Sequence, residues 1–486
     1  YYPPIPPSAD KYPDVPPSGV MNVAEQPVST FSVDVDTASY AFVRRQLVEG
    51  RRLDPAAVRV EEMMNYFPYD YPAPANRNEP FRVTTTLMPN PWRADSKLLH
   101  IALRGYDIDR HERPRSNVVL LIDTSGSMSP QDRLPLLQQA LRPFVQQLRA
   151  QDRVAIVTYA GSSQTVLEPT LGNERDKIVE ALDSLRAGGS TAGGEGLQKA
   201  YALAEKHFDE GAVNRVILAT DGDFNVGITD PKTLERFISD KRKTGIYLSI
   251  FGVGVGNLND ALMQRLAQAG NGNAAYIDSL LEARKALDEQ LNSTLFTIAD
   301  DVKIQVEFNP RHVEAYRLIG YETRALKRED FKDDKIDAGD IGAGHTVTAL
   351  YELLPAGAGR VDPLRYQQEE KAKGRSGQAT DEIAYVKLRY KLPGQSVSKL
   401  IERAVTQTET VSSLKNVPNE QRFAVAVAAF GQRLRGESAL QDFEYTKIAA
   451  LADSGRGADP QGYRSEFLRL VRLAESRKPE VPSAVR

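Results

Sequence analysis

"NVVLLIDTSGSM" (117–128) is the stretch on which the fold turns. Val118 to Ile122 form an unbroken apolar run, which suits a strand buried on both faces of a parallel sheet. The run ends on Asp123, and Thr124, Ser125, Gly126 and Ser127 follow. A carboxylate and three hydroxyls are poor core material, but they are good ligands for a hard cation or parts of an active site. In an open α/β sheet, ligands bind beyond the carboxyl ends of the strands. The polar cluster therefore stands where a site belongs.

The pattern that follows is strand and helix in alternation. "RLPLLQQALRPFVQQL" places Leu134, Leu137, Leu141, Phe144, Val145 and Leu148 at helical spacing, with Pro143 counting against a straight helix. "DRVAIVTYAG" reads as a strand, and "NERDKIVEALDSL" and "GEGLQKAYALAEKHF" as helices. "NRVILATDG" and "IYLSIFGVG" are strands around the helix "PKTLERFISDKRKTG". "NDALMQRLAQAG", "NAAYID" and "LLEARKALDEQLNSTLF" close the unit as helix, short strand and helix. The alternation predicts a doubly wound, mostly parallel sheet over residues 116–297.

The flanks read differently. Residues 1–30, opening "YYPPIPPSADKYPDVPPSG", form a proline-rich tether with little to bury. Within 31–115, "DTASYAFVRRQLVEG" ends at a stop glycine, Gly50, and "PAAVRVEEMMNYF" begins on Pro55, so two helices are expected. "PFRVTTTLMPNPW" and "KLLHIALRGYDI" then read as strands. More strands fill 298–410 ("DVKIQVEFN", "YRLIGYE", "HTVTALYELLP", "EIAYVKLRYKL"), with a long polar loop over 355–382. The two strands before residue 116 lack partners of their own. The expectation is one antiparallel β-sandwich with the α/β domain inserted into it. Residues 411–486 read as helical.

Composition narrows the chemistry. There is no cysteine, which removes disulfides, thiol catalysis, thiolate zinc sites and iron–sulfur clusters. The 62 basic and 65 acidic side chains leave a net charge of −3, with no basic excess that would mark a nucleic-acid binder. No apolar run is long enough to span a bilayer.

Three loops bring oxygen ligands to one sheet edge. Asp123, Ser125 and Ser127 follow the first strand, Thr191 lies in "AGGSTAGGEG" before a helix, and Asp221 ends "VILATD". Two carboxylates and three hydroxyls suit Mg²⁺ or Mn²⁺. "DTSGSM", Thr191 and "TDGD" together resemble the metal-ion-dependent adhesion site of von Willebrand factor type A (VWA) domains. The resemblance implies that Asp123, Ser125, Ser127, Thr191 and Asp221 hold Mg²⁺ and that the metal captures an Asp or Glu carboxylate of a protein partner. Asp223 and Asn225 would steady the third loop or touch the partner. The stretches "STFSVDVDTASYAFVRRQL", "VRVEEMMNYFPYDYP" and "GYRSEFLRLVRLA" resemble exported bacterial VWA proteins. These are often predicted lipoproteins, which implies a cell-envelope location, periplasmic or surface-exposed, with a lipid anchor.

Other motifs compete less well. "DVDTA" (34–38) matches a phosphatase nucleophile motif, but no α/β core follows it directly; Asp34 and Asp36 are read instead as caps of the next helix. A calcium loop beginning at Asp221 fails, because Val226 and Lys232 stand where Gly and Glu are required. "GVGVGN" (252–257) lacks dinucleotide spacing. No His or Lys adjoins Ser125 or Ser127 to activate a nucleophile, so no catalytic residue is assigned. The expected function is a non-enzymatic, Mg²⁺-dependent adhesion or scaffold module. The alternatives are a metal-dependent phosphate-ester hydrolase and a structural envelope protein with a stabilising metal site.

Overall fold

The structure is a computed structural model. It describes residues 15–33, 36–109, 112–189, 193–222, 230–254, 259–290, 296–336, 338–358 and 381–477. The chain enters through β1 (Met21–Asn22) and β2 (Val28–Ser32). The tether expected to reach residue 30 therefore ends earlier. Phe31 gives the second strand something to bury, its ring lying 4.8 Å from that of Tyr321. Helix α1 (Ala38–Glu49) stops at Gly50, whose φ of 74° is the left-handed turn a glycine accepts readily. Pro55 opens a 3₁₀ turn, Pro55–Ala57, rather than the second helix; Val58 is extended, and α2 (Val60–Asn65) begins only after it.

β3 (Phe81–Pro89) and β4 (Lys97–Gly105) form the antiparallel pair expected of the two early strands. The α/β domain follows, with β5 (Arg115–Asp123), α3 (Leu134–Gln147), β6 (Arg153–Tyr159), β7 (Ser163–Leu171), α4 (Arg175–Ser184) and α5 (Gly193–Lys206). It continues through β8 (Ala212–Thr220), α6 (Pro231–Lys243), β9 (Ile246–Val253), α7 (Asp260–Ala269), β10 (Ala274–Ile277) and α8 (Leu280–Arg284). The sheet order is β10-β9-β8-β5-β6-β7. All pairs are parallel except β6 with β7. β7 has no counterpart in the sequence reading: "SQTVLEPTL" mixes polar and apolar residues because it is a half-exposed edge. Helix α3 runs through Pro143, and its expected apolar positions are all buried. The sheet has a separate apolar core on each face.

The chain then returns to antiparallel structure through β11 (Thr297–Phe308), β12 (Val313–Leu318), β13 (Ala325–Leu326), β14 (Gly339–Gly342), β15 (Thr346–Pro355), β16 (Glu382–Lys391) and β17 (Ser398–Thr406). One sheet runs β1-β12-β15-β4-β3; the other runs β13-β2-β11-β16-β17, with β14 also on β11. Both contribute to one core, as the Phe308–Tyr351 and Phe81–Tyr390 ring contacts illustrate. The early strands thus find their partners across the inserted α/β domain. Most of the expected 355–382 loop lies outside the described residues. Helices Asn419–Arg435, Tyr445–Ser454 and Tyr463–Ser476 pack with α2 onto the same core. Arg44 of α1 bonds Asp278, Glu282 and Glu466 and so ties the α/β domain to the last helix. Among the described residues no helix is long and apolar enough to cross a membrane.

Candidate functional site

β5 is the central strand, with β8 on one side and β6 on the other. The chain moves outward from β5 through β6 and β7, then crosses back to β8. The gap between β5 and β8 is therefore a topological switch point, where the loops leaving adjacent strands part and leave a crevice. Asp123 ends β5 and Asp221 follows the last residue of β8. Both are buried.

The first loop is folded by its own hydrogen bonds. Ser125 N–H donates to Asp123 Oδ1 at 2.8 Å, and the Ser125 and Ser127 hydroxyls lie 2.9 Å apart. Thr220 Oγ1 approaches Asp123 Oδ2 at 3.4 Å. Gly126 N–H donates to Gly189 O at 3.0 Å and Gly188 N–H to Thr124 O at 2.8 Å, which brings the second loop against the first. Burial raises the Asp123 pKa; the Ser125 hydrogen bonds lower it and the nearby Asp221 carboxylate raises it.

Asp221 is the less balanced of the two acids. Its Oδ2 accepts from Arg133 Nη1, which also donates to Ser127 O at 2.8 Å. Its Oδ1 is buried and has no hydrogen-bond partner among the described residues. A buried carboxylate oxygen left without a donor is costly. That oxygen, Asp123 and the paired serine hydroxyls form an all-oxygen donor set, and such a set fits a hard divalent cation. Among the described residues no group of three or more His, Asp or Glu offers a rival metal centre.

Arg133 is a site residue that the sequence reading missed. Its place depends on close backbone approach: Gly254, just past β9, has φ of 75°, and a Cβ there would lie 2.4 Å from Arg133 Nε. Gly254 O also accepts from Tyr276 Oη at 2.5 Å. The neighbouring Asp132 accepts from Arg45 of α1 at 2.6 Å, so the N-terminal region reaches the rim of the site. The one available signal was a basic residue in the loop between the first strand and its helix.

Thr191, Asp223 and Asn225 lie outside the described residues, as does Asp34. Asp36 is no helix cap, since α1 begins after Thr37 without a side-chain cap. Its Oδ1 instead accepts from Ala274 N–H at 2.9 Å and its Oδ2 from Arg324 at 2.9 Å, locking the α/β domain to the sandwich. Burial holds His100 near a pKa of about 3 and His345 near about 4, so both are neutral at pH 7.

Family comparisons agree with this architecture. The von Willebrand factor type A domain model matches residues 117–290, a model described as von Willebrand factor matches 6–100, and the model "Uncharacterized protein YfbK, C-terminal" matches 293–476. Fold and matches define a VWA-domain protein. The uncharacterised protein YfbK of Escherichia coli K12 is 46% identical over 477 residues, covering 96% of this chain and 82% of that protein. The chain therefore belongs to the YfbK family. Human inter-alpha-trypsin inhibitor heavy chain H4 is 29% identical over 196 residues, 37% of this chain and 21% of that protein. Among solved structures, a von Willebrand factor type A protein from Catenulispora acidiphila aligns over 81% of this chain and 89% of its own, at 17% identity and a TM-score of 0.43. VWA domains are typically protein-interaction modules and often bind a divalent metal.

Proposed function

We propose that Asp123, Ser125, Ser127, Thr191 and Asp221 hold Mg²⁺ or Mn²⁺, and that the protein captures an acidic group of a partner protein there. The observation that carries this reading is the unpartnered, buried Oδ1 of Asp221 beside a second buried carboxylate and two hydroxyls. When bound, the ion would neutralise the two carboxylates and leave a coordination position for a carboxylate from outside. Asp123 and Asp221 supply the charge. The serine hydroxyls, already paired by their loop, supply small neutral ligands at low ordering cost. Thr191 enters by the family resemblance, and Asp223 and Asn225 would border the partner. By the same resemblance the protein works in the cell envelope on a lipid anchor, which membrane fractionation of cells would test.

The test is calorimetric titration of metal-free protein with Mg²⁺ and Mn²⁺. Wild type should bind one ion saturably, and Asp123→Ala should bind none while keeping its circular dichroism spectrum. Equal binding by the variant would contradict the reading.

A further inference from the structure

A second candidate site lies away from the first, where the α/β domain meets the sandwich. A cleft of about 740 Å³ runs between α6 and α7 on one wall and the β13–β14 margin on the other. That size is ordinary for a small-molecule site, and domain junctions are where such sites concentrate. Its lining is basic, although the whole chain carries a net charge of −3.

Some of the basic side chains have partners. Lys243 pairs with Asp240, and Arg324 with Asp36. Lys232, Arg236 and Arg265 project into the cleft and form no ion pair among the described residues. Arg242 adds a further positive charge. Of the lining acids, Glu235 and Asp240 are the counter-charges; Asp240 pairs with Lys243 and lies within electrostatic reach of Arg236, so the basic side chains remain in excess. Asp340 accepts from Asn271 Nδ2 at 2.5 Å and from Asp301 N–H at 3.1 Å. Burial and the nearby Asp300 raise its pKa well above the carboxylate range, which moves it toward the neutral acid. Like charges facing one concave space repel each other, and a cleft focuses their field on whatever enters.

We propose that this cleft binds a phosphate-bearing anion, with Arg236 and Arg265 as its main contacts and Lys232 and Arg242 in support. Phosphate is favoured because the planar guanidinium fork matches its oxygens two at a time. Asn271, Asn273 and Ser239 on the same lining supply neutral donors. The ligand would bridge α6 and α7 to the sandwich. The proposal is independent of the metal reading, because none of the metal-site residues lines the cleft.

The test uses the full chain, stripped of metal so that the probe is not sequestered. Pyrophosphate is titrated by calorimetry at 0.15 M salt, and phosphatidylglycerol vesicles are compared with phosphatidylcholine vesicles in flotation. Arg236→Gln/Arg265→Gln should lower affinity for the active probe at least tenfold. Asp123→Ala should leave it unchanged, and so should Arg142→Gln/Lys177→Gln, which removes two charges on other helices. Pyrophosphate binding assigns a soluble phosphate ester; vesicle binding confined to phosphatidylglycerol assigns a lipid headgroup. Either supports the proposal if the double variant loses it. Binding of neither probe, or equal losses in the two double variants, would overturn it.

Discussion

Asp36 and Asp221 are both buried aspartates, and each gives its Oδ2 to an arginine. They differ at the other oxygen. Asp36 Oδ1 receives the backbone N–H of Ala274, so the protein completes its environment. Asp221 Oδ1 receives no hydrogen bond among the described residues. The first carboxylate is therefore a structural lock between domains, and the second is the one for which we propose a cation. The contrast also sorts two sequence motifs. "DVDTA" looks catalytic and is used for assembly; "DTSGSM" and "TDGD" frame the unbalanced acid.

Glu61 gives a third solution. Its Oε2 is buried with no hydrogen-bond partner among the described residues, and no metal-holding group is found among them. Burial, with help from Glu322 and Glu62, raises its pKa to about 7. The carboxyl is relieved by holding its proton.

The largest effect should come from Asp221→Asn. It should weaken Mg²⁺ binding at least a hundredfold in calorimetry, whereas Asp36→Asn should leave metal affinity unchanged. Equal losses would erase the contrast between the two acids. Next comes Asp36→Ala, which leaves Arg324 buried without its acid. Breaking a buried pair costs about 3 kcal/mol or more, and urea unfolding should report a loss of that order.

Arg133→Gln sharpens the comparison. On Asp36 the arginine is a partner that the fold needs, but on Asp221 it is a positive charge beside the position proposed for the cation. Removing it should raise Mg²⁺ affinity roughly tenfold, because a like charge at close range is lost. Lower affinity would instead make Arg133 the residue that aims Asp221.

Glu61→Gln should have the smallest effect, and one that depends on pH. A folded-state pKa above the unfolded value means that the native state binds the extra proton, so stability falls as pH rises from about 4.5 toward 7. The amide removes that penalty. The variant should gain stability over wild type at pH 8 and nearly nothing at pH 4. A gain that did not vary with pH would show that Glu61 titrates normally.

Much of this was legible in the sequence because it is local. Asp123, Ser125 and Ser127 sit in one turn, and the apolar run before them fixes both the strand and the edge at which it ends. That β3 and β4 join a sheet of later strands, through β4 on β15, followed from their lack of other neighbours. Other features depend on what meets them in space. Arg133 matters because Gly254 lets its side chain lie close, and nothing in its own neighbourhood says so. Asp36 was misread because its partners, Ala274 and Arg324, lie more than 200 residues away. β7 was missed because an exposed edge strand needs no apolar period. The basic cleft arises from two helices and a sheet margin that become neighbours only when the domains dock.

The most direct test is anomalous diffraction from crystals of the full chain soaked in Mn²⁺. The account predicts a strong peak within bonding distance of Ser125 and Ser127, with Asp123 and Asp221 Oδ1 turned toward it directly or through water. Saturating Mn²⁺ with no peak there, while Asp221 stays bound to Arg133 alone, would contradict it.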